Sequence, residues 1–250
     1  VIGRLAMPLF AFMIVEGVLH TKNFKKYLLK LGILAVAISI GLIVAFYVPS
    51  LGLSEAAYAG NIFIDLTLGA LMIFCIKNKD MKIKLCSLPI IALSILSFVA
   101  KCSERYTGVN CVWYPPFLRF QYDWLSIVTM LGFYLAYFIA DAFWEQQSKY
   151  SGIDLDIVKA NNQYRLSVNI ISMLVVLVTQ LLYYFFVYIN KDIVFWNASI
   201  QVAGACTGII LLFYNGRRGY DSKWFRITTY LYYPVHIGII FAIFYLVSHI

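Results

Sequence analysis

The sequence contains few charged residues. Of its 250 residues, 13% are charged and 62% are hydrophobic, whereas typical soluble domains have about 25% charged residues. This composition excludes a sizeable soluble domain and predicts an integral membrane protein. The net charge of +8 follows the loops rather than one face, so we expect the lipid bilayer, and no nucleic acid, among its partners.

Histidine and the common catalytic motifs are scarce. The chain has three histidines and contains no glycine-rich nucleotide loop, no H-E-x-x-H and no G-x-S-x-G sequence. Its five cysteines lack metal-ligand spacing, and we therefore expect no metal centre. Cys102 and Cys111 share one segment in which a disulfide could form. Nothing indicates a serine nucleophile or a metal-assisted reaction.

Long apolar segments dominate what is present. Eight can be drawn, at residues 2–20, 26–48, 61–77, 84–100, 123–144, 166–189, 196–214 and 226–249. Most reach the ~20 residues that a helix needs to cross ~30 Å of hydrocarbon. No alternation with the period of a strand competes with them. We predict an all-α fold, a polytopic transmembrane bundle of about eight helices that forms a single domain over residues 1–250.

Basic residues are divided unequally between the two sides of this bundle. All but five of the 20 follow the first, third, fifth and seventh segments, namely Lys22, Lys25, Lys26, Lys30, Lys77, Lys79, Lys82, Lys84, Lys149, Lys159, Arg165, Arg217, Arg218, Lys223 and Arg226. The positive-inside rule places this group in the cytoplasm, and so places Val1 and Ile250 outside. An external start without a visible signal peptide favours one further helix upstream of Val1.

Two connecting segments have informative compositions. The external segment 101–122 is rich in aromatic residues and proline, and we expect it to lie in the membrane interface or to fold over the bundle. The cytoplasmic segment 145–165 has room for one short amphipathic helix. Gly204 and Gly208, four residues apart, predict close helix packing, and Gln180 is more typical of interhelical hydrogen bonding than of ligand binding.

Polar residues within the apolar segments are candidates for function, because such residues are costly in hydrocarbon. Glu16 and His20 are four residues apart and therefore share one helix face, either as a capping pair at the interface or as functional groups. Asn61 and Asp65 have the same spacing, which favours interhelical hydrogen bonds over chemistry. Arg4, near the outer surface, could extend its side chain to the lipid headgroups.

A basic turn and a histidine form the most informative pair. His236 lies twelve residues beyond Trp224, which at 1.5 Å per residue is about 18 Å deep, near the middle of the membrane. Pro234 removes a helical hydrogen bond beside it. The imidazole either satisfies that polar space or acts as a general base. The turn Asn215–Gly219 either holds phosphate of a substrate or contacts lipid phosphate.

Several separated blocks of the sequence resemble the TraX family. They are Ile2-Gly-Arg-Leu-Ala-Met-Pro-Leu-Phe-Ala-Phe, Glu16-Gly, His20-Thr-Lys-Asn, Lys26-Tyr-Leu-Leu-Lys, Asn61-Ile-Phe, Leu68-Gly, Tyr214-Asn-Gly-Arg-Arg-Gly and Tyr232-Tyr-Pro-Val-His. The family includes the membrane protein associated with N-terminal acetylation of conjugative F pilin. Its members usually carry an Asp-His pair in a helix before the first block, and the sequence from Val1 onward does not contain that pair.

The resemblance implies a multi-pass acetyltransferase of a bacterial plasma (inner) membrane. Acetyl-CoA is the implied donor, and the acceptor is an amine or hydroxyl of a pilin, a peptide or a small molecule. The implied catalytic residues are His236, Glu16, His20, Asn61 and Arg4, with Thr21 in the same blocks. The implied donor-binding residues are Asn215, Gly216, Arg217, Arg218, Gly219, Lys22 and Lys26. Direct transfer and an acetyl-histidine intermediate both fit.

Two other classes of function compete with this interpretation. A proton-coupled transporter or channel for a small polar solute would use the broken helices that Pro8, Pro89 and Pro234 predict, although no inverted repeat is visible. A non-catalytic scaffold for pilus or envelope assembly would leave the basic turn and His236 without a purpose. Binding or hydrolysis of acetyl-CoA distinguishes the three.

Overall fold

In the part of the chain that the structure describes, the regular structure consists of helices. The computed structural model describes residues 2–48, 60–109, 111–189, 203–217, 219, 220 and 222, together with isolated positions between 224 and 246. The helices are α1 (Ile2–His20), α2 (Phe24–Tyr47), α3 (Ile62–Lys77), α4 (Met81–Leu85), α5 (Ser87–Thr107), α6 (Asp123–Ser151), α7 (Leu155–Lys159), α8 (Asn162–Ile189) and α9 (Thr207–Leu212). Short 3-10 helices cover Pro116–Leu118 and Ala203–Cys206.

The prediction of a transmembrane helical bundle is confirmed. Within the described ranges no strand forms, and four stretches are long and apolar enough to cross a membrane. They are Phe24–Val44, Met81–Thr107, Pro116–Ser151 and Asn162–Phe186. The first six apolar segments each correspond to a helix. Of the segment 196–214, residues 203–212 are helical, and most of the segment 226–249 lies outside the described residues.

Two helices extend further than their apolar segments predicted. α5 continues past residue 100 and α6 past residue 144, so segments 101–122 and 145–165 are not loops throughout. The extensions are polar and amphipathic, as the Lys149–Glu145 pair at 3.0 Å on α6 illustrates. Gly108 and Gly152 end these helices with positive φ angles of 67° and 68°. The short helix predicted between residues 145 and 165 is present as α7.

Helix α6 lies at the centre of the bundle and contacts α1, α3, α5 and α8. Glycine permits two of these contacts, because a Cβ on Gly69 would lie 2.1 Å from Met130 Sδ and one on Gly132 would lie 2.5 Å from Val175 Cγ1. Phe133 of α6 packs edge-on against Phe12 of α1 at 5.3 Å between ring centroids. The core therefore depends on close backbone approach as well as on large side chains.

The segment after α5, predicted to be external, folds over the end of the bundle, one of the two arrangements expected for it. Arg119 is fully buried there, and its guanidinium donates to Glu104 at 2.8 Å and to the carbonyl of Tyr114 at 2.6 and 2.8 Å. Cys102 and Cys111, which share this region, are both free thiols, so the disulfide considered for them is not formed. Arg119, which lies in the segment predicted to be an external loop, is thus a core residue.

Side chains also bind the backbone of this external segment to α3 and α5. Asp65 accepts hydrogen bonds from the backbone N–H groups of Gln121 and Tyr122 at 2.8 and 2.9 Å. Lys101 donates to the carbonyl of Phe120 at 2.6 Å and to that of Gln121 at 3.2 Å. The outer end of the bundle is therefore fastened by a paired polar network.

Candidate functional site

A second polar cluster lies at the opposite, lysine-rich end of the bundle. Glu16 of α1 and Arg165 of α8 form an ion pair, with 3.2 Å between Arg165 Nη1 and Glu16 Oε1. The same guanidinium nitrogen lies 3.0 Å from the Tyr137 hydroxyl of α6. Both charged side chains are mostly buried, at 15% and 17% exposure. Three helices thus hold a cation and an anion below the predicted cytoplasmic surface.

Aromatic rings surround this guanidinium. Arg165 Cζ lies 4.3 Å from the ring centroid of Tyr214 and 5.7 and 5.8 Å from those of Tyr137 and Phe12. Such rings attract a cation through their negative faces and keep its side chain in one orientation. The cluster therefore presents a fixed positive charge in a largely apolar setting.

The glycine-containing turn lies directly beside Arg165. A Cβ on Gly216 would lie 3.2 Å from both Cδ and Nε of Arg165, and Gly216 has a positive φ of 68°. The side chain of Asn215 accepts a hydrogen bond from the backbone N–H of Arg217 at 3.0 Å. Asn169 of α8 donates to the carbonyl of Tyr214 at 2.7 Å. The turn predicted to bind phosphate is thereby attached to the ion pair of Glu16.

Tyr214 links the turn to the acidic residue. Its hydroxyl donates to Glu16 Oε1 at 3.4 Å. It lies beyond the last residue of α9, and burial raises the pKa of its phenol above the ordinary value, with the Glu16 carboxylate raising it further. The phenol therefore stays protonated at neutral pH and remains a hydrogen-bond donor to Glu16.

The other residues predicted on this side are nearby but more exposed. His20 lies one turn beyond Glu16, with Nδ1 3.0 Å from the Glu16 carbonyl and 3.9 Å from its carboxylate, so the shared helix face is confirmed. Lys22 and Lys26 are exposed to solvent, and Thr21 lines a small cleft between α1 and α3. Flexible exposed lysines of this kind can attract an anion without fixing its position.

The structure separates Asn61 and Arg4 from this cluster. Asn61 caps α3 at the outer end, accepting from Phe63 N–H at 2.9 Å and donating to the carbonyl of Ala35 and to Ser39 at 2.8 and 3.0 Å. The interhelical hydrogen bonding expected of it is confirmed, and both of its donor hydrogens are in use. Arg4 lies toward the same end and hydrogen-bonds Tyr122. Any catalytic role of either residue stays a prediction.

His236 and Arg218, both predicted from the sequence to act in the site, lie outside the described residues. Their roles as base and phosphate ligand also stay predictions.

The residues of the cluster fit an anionic phosphate group. The Nε–H of Arg165 is buried and has no hydrogen-bond acceptor within the described part of the chain. The absence of a Cβ at Gly216 lets the backbone of the turn approach that donor closely, and Arg217 is exposed on the same turn. Guanidinium groups and turn N–H groups are the donors that phosphate oxygens prefer. Among the described residues, no group of His, Cys, Asp and Glu is arranged to hold a metal ion.

Sequence reasoning missed Arg165 and Tyr137 as site residues. Arg165 directly precedes an apolar segment and was counted only as a loop charge. Its position in the first turn of α8 resembles that of any basic residue at a membrane surface. Nothing in the sequence indicates that Glu16, 149 residues away, is its partner. Tyr137 carries no signal that separates it from the 18 other tyrosines of the chain.

Comparison with known proteins identifies the family. The family described as TraX protein matches residues 1–248. No curated protein and no solved structure matches the chain. The matched region contains Glu16, Arg165 and the Asn215–Gly219 turn, and its apolar helices are those of a membrane protein. Since the match covers almost the entire sequence, the chain belongs to the TraX family.

Proposed function

We propose that this protein is a membrane acetyltransferase that transfers an acetyl group from cytoplasmic acetyl-CoA to an amine or hydroxyl acceptor, with a pilin or peptide N-terminus favoured. The observation that carries the proposal is the convergence of Arg165, Glu16 and the Gly216 turn at the lysine-rich end of the bundle. Membership of a family whose name is associated with pilin acetylation supports it.

The donor phosphates are assigned to the turn. The turn carries two cations in sequence, Arg217 and Arg218, of which Arg217 is exposed in the structure. Arg165 offers one further N–H group from within the bundle. A guanidinium binds two phosphate oxygens at once, which fixes the direction of the donor as well as its position. Lys22 and Lys26, exposed on the same side, raise the local concentration of an anionic donor.

The reaction requires one proton to be removed from the acceptor. Bound acetyl-CoA supplies an acyl carbon that the acceptor nitrogen or oxygen attacks, and the thiolate leaves. We assign the proton of the acceptor to His236, whose ordinary pKa near 6.5 suits a base. Glu16, held by Arg165 and Tyr214, accepts a hydrogen bond from the neutral amine or hydroxyl of the acceptor and orients it for attack.

The donor site is tested by the substitution Arg217→Ala. Arg217 is exposed, and its hydrogen bond to Asn215 is made by its backbone N–H, which alanine retains, so the fold should be unaffected. Loss of a charged hydrogen bond costs about 1.5–3 kcal/mol, which weakens binding roughly ten- to a hundredfold. The measurement is the binding of radiolabelled acetyl-CoA to purified protein in nanodiscs, followed by transfer to a synthetic peptide with a free N-terminus.

Lys149→Ala is the matched control, because Lys149 is an exposed cation of the same surface away from the turn. It should bind acetyl-CoA like the unmodified protein. Equal affinity of Arg217→Ala and Lys149→Ala would assign the turn to lipid contact. Absence of any acetyl-CoA binding would refute the acetyltransferase and favour the transporter or the scaffold.

A further inference from the structure

The helices pack closely at one place and separate at another. A Cβ on Gly204 would lie 3.2 Å from Gln180 Cδ of α8, and one on Gly208 would lie 2.8 Å from Met173 Cγ, so the close packing predicted from the two glycines is confirmed. The interhelical hydrogen bonding expected of Gln180 is not found within the described residues. By contrast, the ends of α1 and α3 leave a cleft of about 240 Å³ between them, at the lysine-rich end of the bundle.

This cleft lies on the side of α1 that faces away from Glu16. It is lined by Val18, Thr21, Phe24, Phe74, Lys77 and Asn78. Val18 is two residues from Glu16, which at about 100° per residue places it roughly 200° around the helix. Glu16 contacts Arg165 of α8, whereas the cleft faces α2 and α3. The cleft is therefore distinct from the candidate functional site.

The polar side chains that line the cleft all offer hydrogen-bond donors. Lys77 Nζ donates to the carbonyl of Leu19 at 3.2 Å, which holds the ammonium group at the end of α1 and leaves its other N–H groups for another acceptor. The Asn78 oxygen accepts from the backbone N–H of Asp80 at 2.9 Å, so the remaining part of its amide is the NH₂ donor. The Thr21 hydroxyl is a third donor. None of the lining residues is acidic, and the cleft therefore suits an acceptor that carries negative charge.

The surface around the cleft is strongly basic. Residues 20–30 and 77–86 together contain eight lysines and one acidic residue. The acidic residue, Asp80, caps α4, because its carboxylate accepts from the backbone N–H of Lys82 at 2.9 Å. Lys79 and Lys82 are exposed. The surrounding lysines therefore attract an anion, and the donors that line the cleft can fix its position.

Exposed apolar side chains beside the cleft indicate lipid rather than water. α4 begins at Met81, three residues after Asn78. Met81 and Leu85 are 65% and 54% exposed, and because they are four residues apart they share one helix face, with Lys82 and Lys84 on either side of it. An apolar helix face between lysines is typical of the headgroup region of a membrane. We therefore expect the cleft to lie at the depth of the headgroups.

We propose that this cleft binds the headgroup phosphate of an anionic phospholipid from the predicted cytoplasmic leaflet. Lys77, Asn78 and Thr21 donate to the phosphate oxygens, and the acyl chains lie along Met81 and Leu85. The proposal uses none of the residues assigned to the phosphates of acetyl-CoA and is independent of the proposed function. Because the bound phosphate joins the ends of α1 and α3, the lipid should raise the unfolding temperature.

The test titrates protein in a neutral detergent with phosphatidylglycerol or with phosphatidylcholine of the same acyl chains, and native mass spectrometry measures binding. Phosphatidylglycerol should bind more tightly and raise the unfolding temperature. Lys77→Gln removes the charge but keeps a donor for the Leu19 carbonyl, and should weaken phosphatidylglycerol binding by about tenfold, the effect of one charged hydrogen bond. Lys77→Arg should retain the affinity. Lys149→Gln, which removes an exposed cation away from the cleft, is the matched control and should bind like the unmodified protein.

Four outcomes would overturn the proposal. Equal affinity for the two lipids would show that the headgroup charge is not recognised, and an equal loss in Lys77→Gln and Lys149→Gln would show diffuse attraction to the lysines. Displacement of the lipid by a similar concentration of glycerol 3-phosphate, which lacks acyl chains, would assign the cleft to a soluble anion. Weaker acetyl-CoA binding by Lys77→Gln, with lipid binding unchanged, would assign the cleft to the acyl donor and leave the proposed function intact.

Discussion

At the scale of residues, two buried arginines have opposite surroundings. Arg119 is fully occupied by the Glu104 carboxylate and the Tyr114 carbonyl at 2.6–2.8 Å. Arg165 holds Glu16 at a looser 3.2–3.5 Å and retains an unpaired Nε–H among the described residues. The first arrangement stabilises the fold, whereas the second leaves capacity for a ligand.

Glu104→Gln should therefore destabilise the protein. Removing the carboxylate charge leaves Arg119 buried without a counter-ion, which costs about 3–5 kcal/mol. Denaturant unfolding in detergent measures the effect. Glu145→Gln is the control, because Glu145 and its partner Lys149 are both exposed, and exposed pairs contribute about 0–1 kcal/mol. Equal midpoints for the two variants would contradict a structural role for Arg119.

His236→Gln should reduce acetyl transfer by about 10²- to 10⁴-fold, the contribution of a general base. Donor binding should be unchanged, because the histidine is assigned to the acceptor proton and not to the phosphates. Single-turnover transfer, measured beside equilibrium acetyl-CoA binding, checks both statements. A variant that transfers acetyl at the normal rate would remove His236 from the chemistry.

Local patterns in the sequence predicted which neighbouring residues lie together. Glu16 and His20 were paired from their spacing, and the Asn215–Gly219 turn from its composition. Arg165 was not predicted, because its role depends on contacts with α1 and α6 that are remote in sequence. Asn61 belongs to one of the blocks that resemble the family, and in the structure it caps a helix. A short polar side chain suits a helix cap as well as a functional site, so the sequence does not distinguish the two roles.

At the scale of elements, contacts between helices depend on glycine. Gly132→Ala should destabilise the packing of α6 on α8, because the new Cβ would lie 2.5 Å from Val175 Cγ1 and a β-branched side chain cannot easily turn away. The expected cost is about 1–3 kcal/mol, typical of overpacking. Thermal unfolding of the purified protein measures it.

The double variant Gly132→Ala with Val175→Ala should recover most of the stability lost by Gly132→Ala alone, since it restores the space. Gly32→Ala is the matched control, because nothing lies within 4 Å of the Cβ position at Gly32. An equal loss in the double and single variants would show that the contact with Val175 is not the cause.

Within the described residues, the order of the long helices could be read from hydropathy, but helix ends could not. Apolarity marks only the part of a helix within hydrocarbon, and α5 and α6 continue as polar helices to the glycines that cap them. The buried charge pairs near the end of α5 could not be predicted either. A charged residue that tertiary contacts pair and bury has the same identity in the sequence as one that is exposed at the surface.

At the scale of the whole molecule, the orientation in the membrane is a prediction from loop charge. In a variant without native cysteines, Ser151→Cys should react only with reagents that reach the cytoplasm, and Ser103→Cys should react from outside. Both side chains are exposed in the structure and lie at opposite ends of the bundle. The reverse labelling would place the Glu16–Arg165 cluster outside, away from acetyl-CoA.

The length of α3 has a consequence for the outer end of the protein. Its 16 residues rise only about 24 Å, less than the ~30 Å of hydrocarbon. By this length, we expect the irregular segment that covers α3 to lie at membrane depth, where backbone groups are tolerated only if protein atoms pair them. Asp65, Ser97 and Lys101 supply those partners in place of water. We therefore predict that the segment is a re-entrant loop, in which the side chains beneath it supply the hydrogen bonds that lipid cannot.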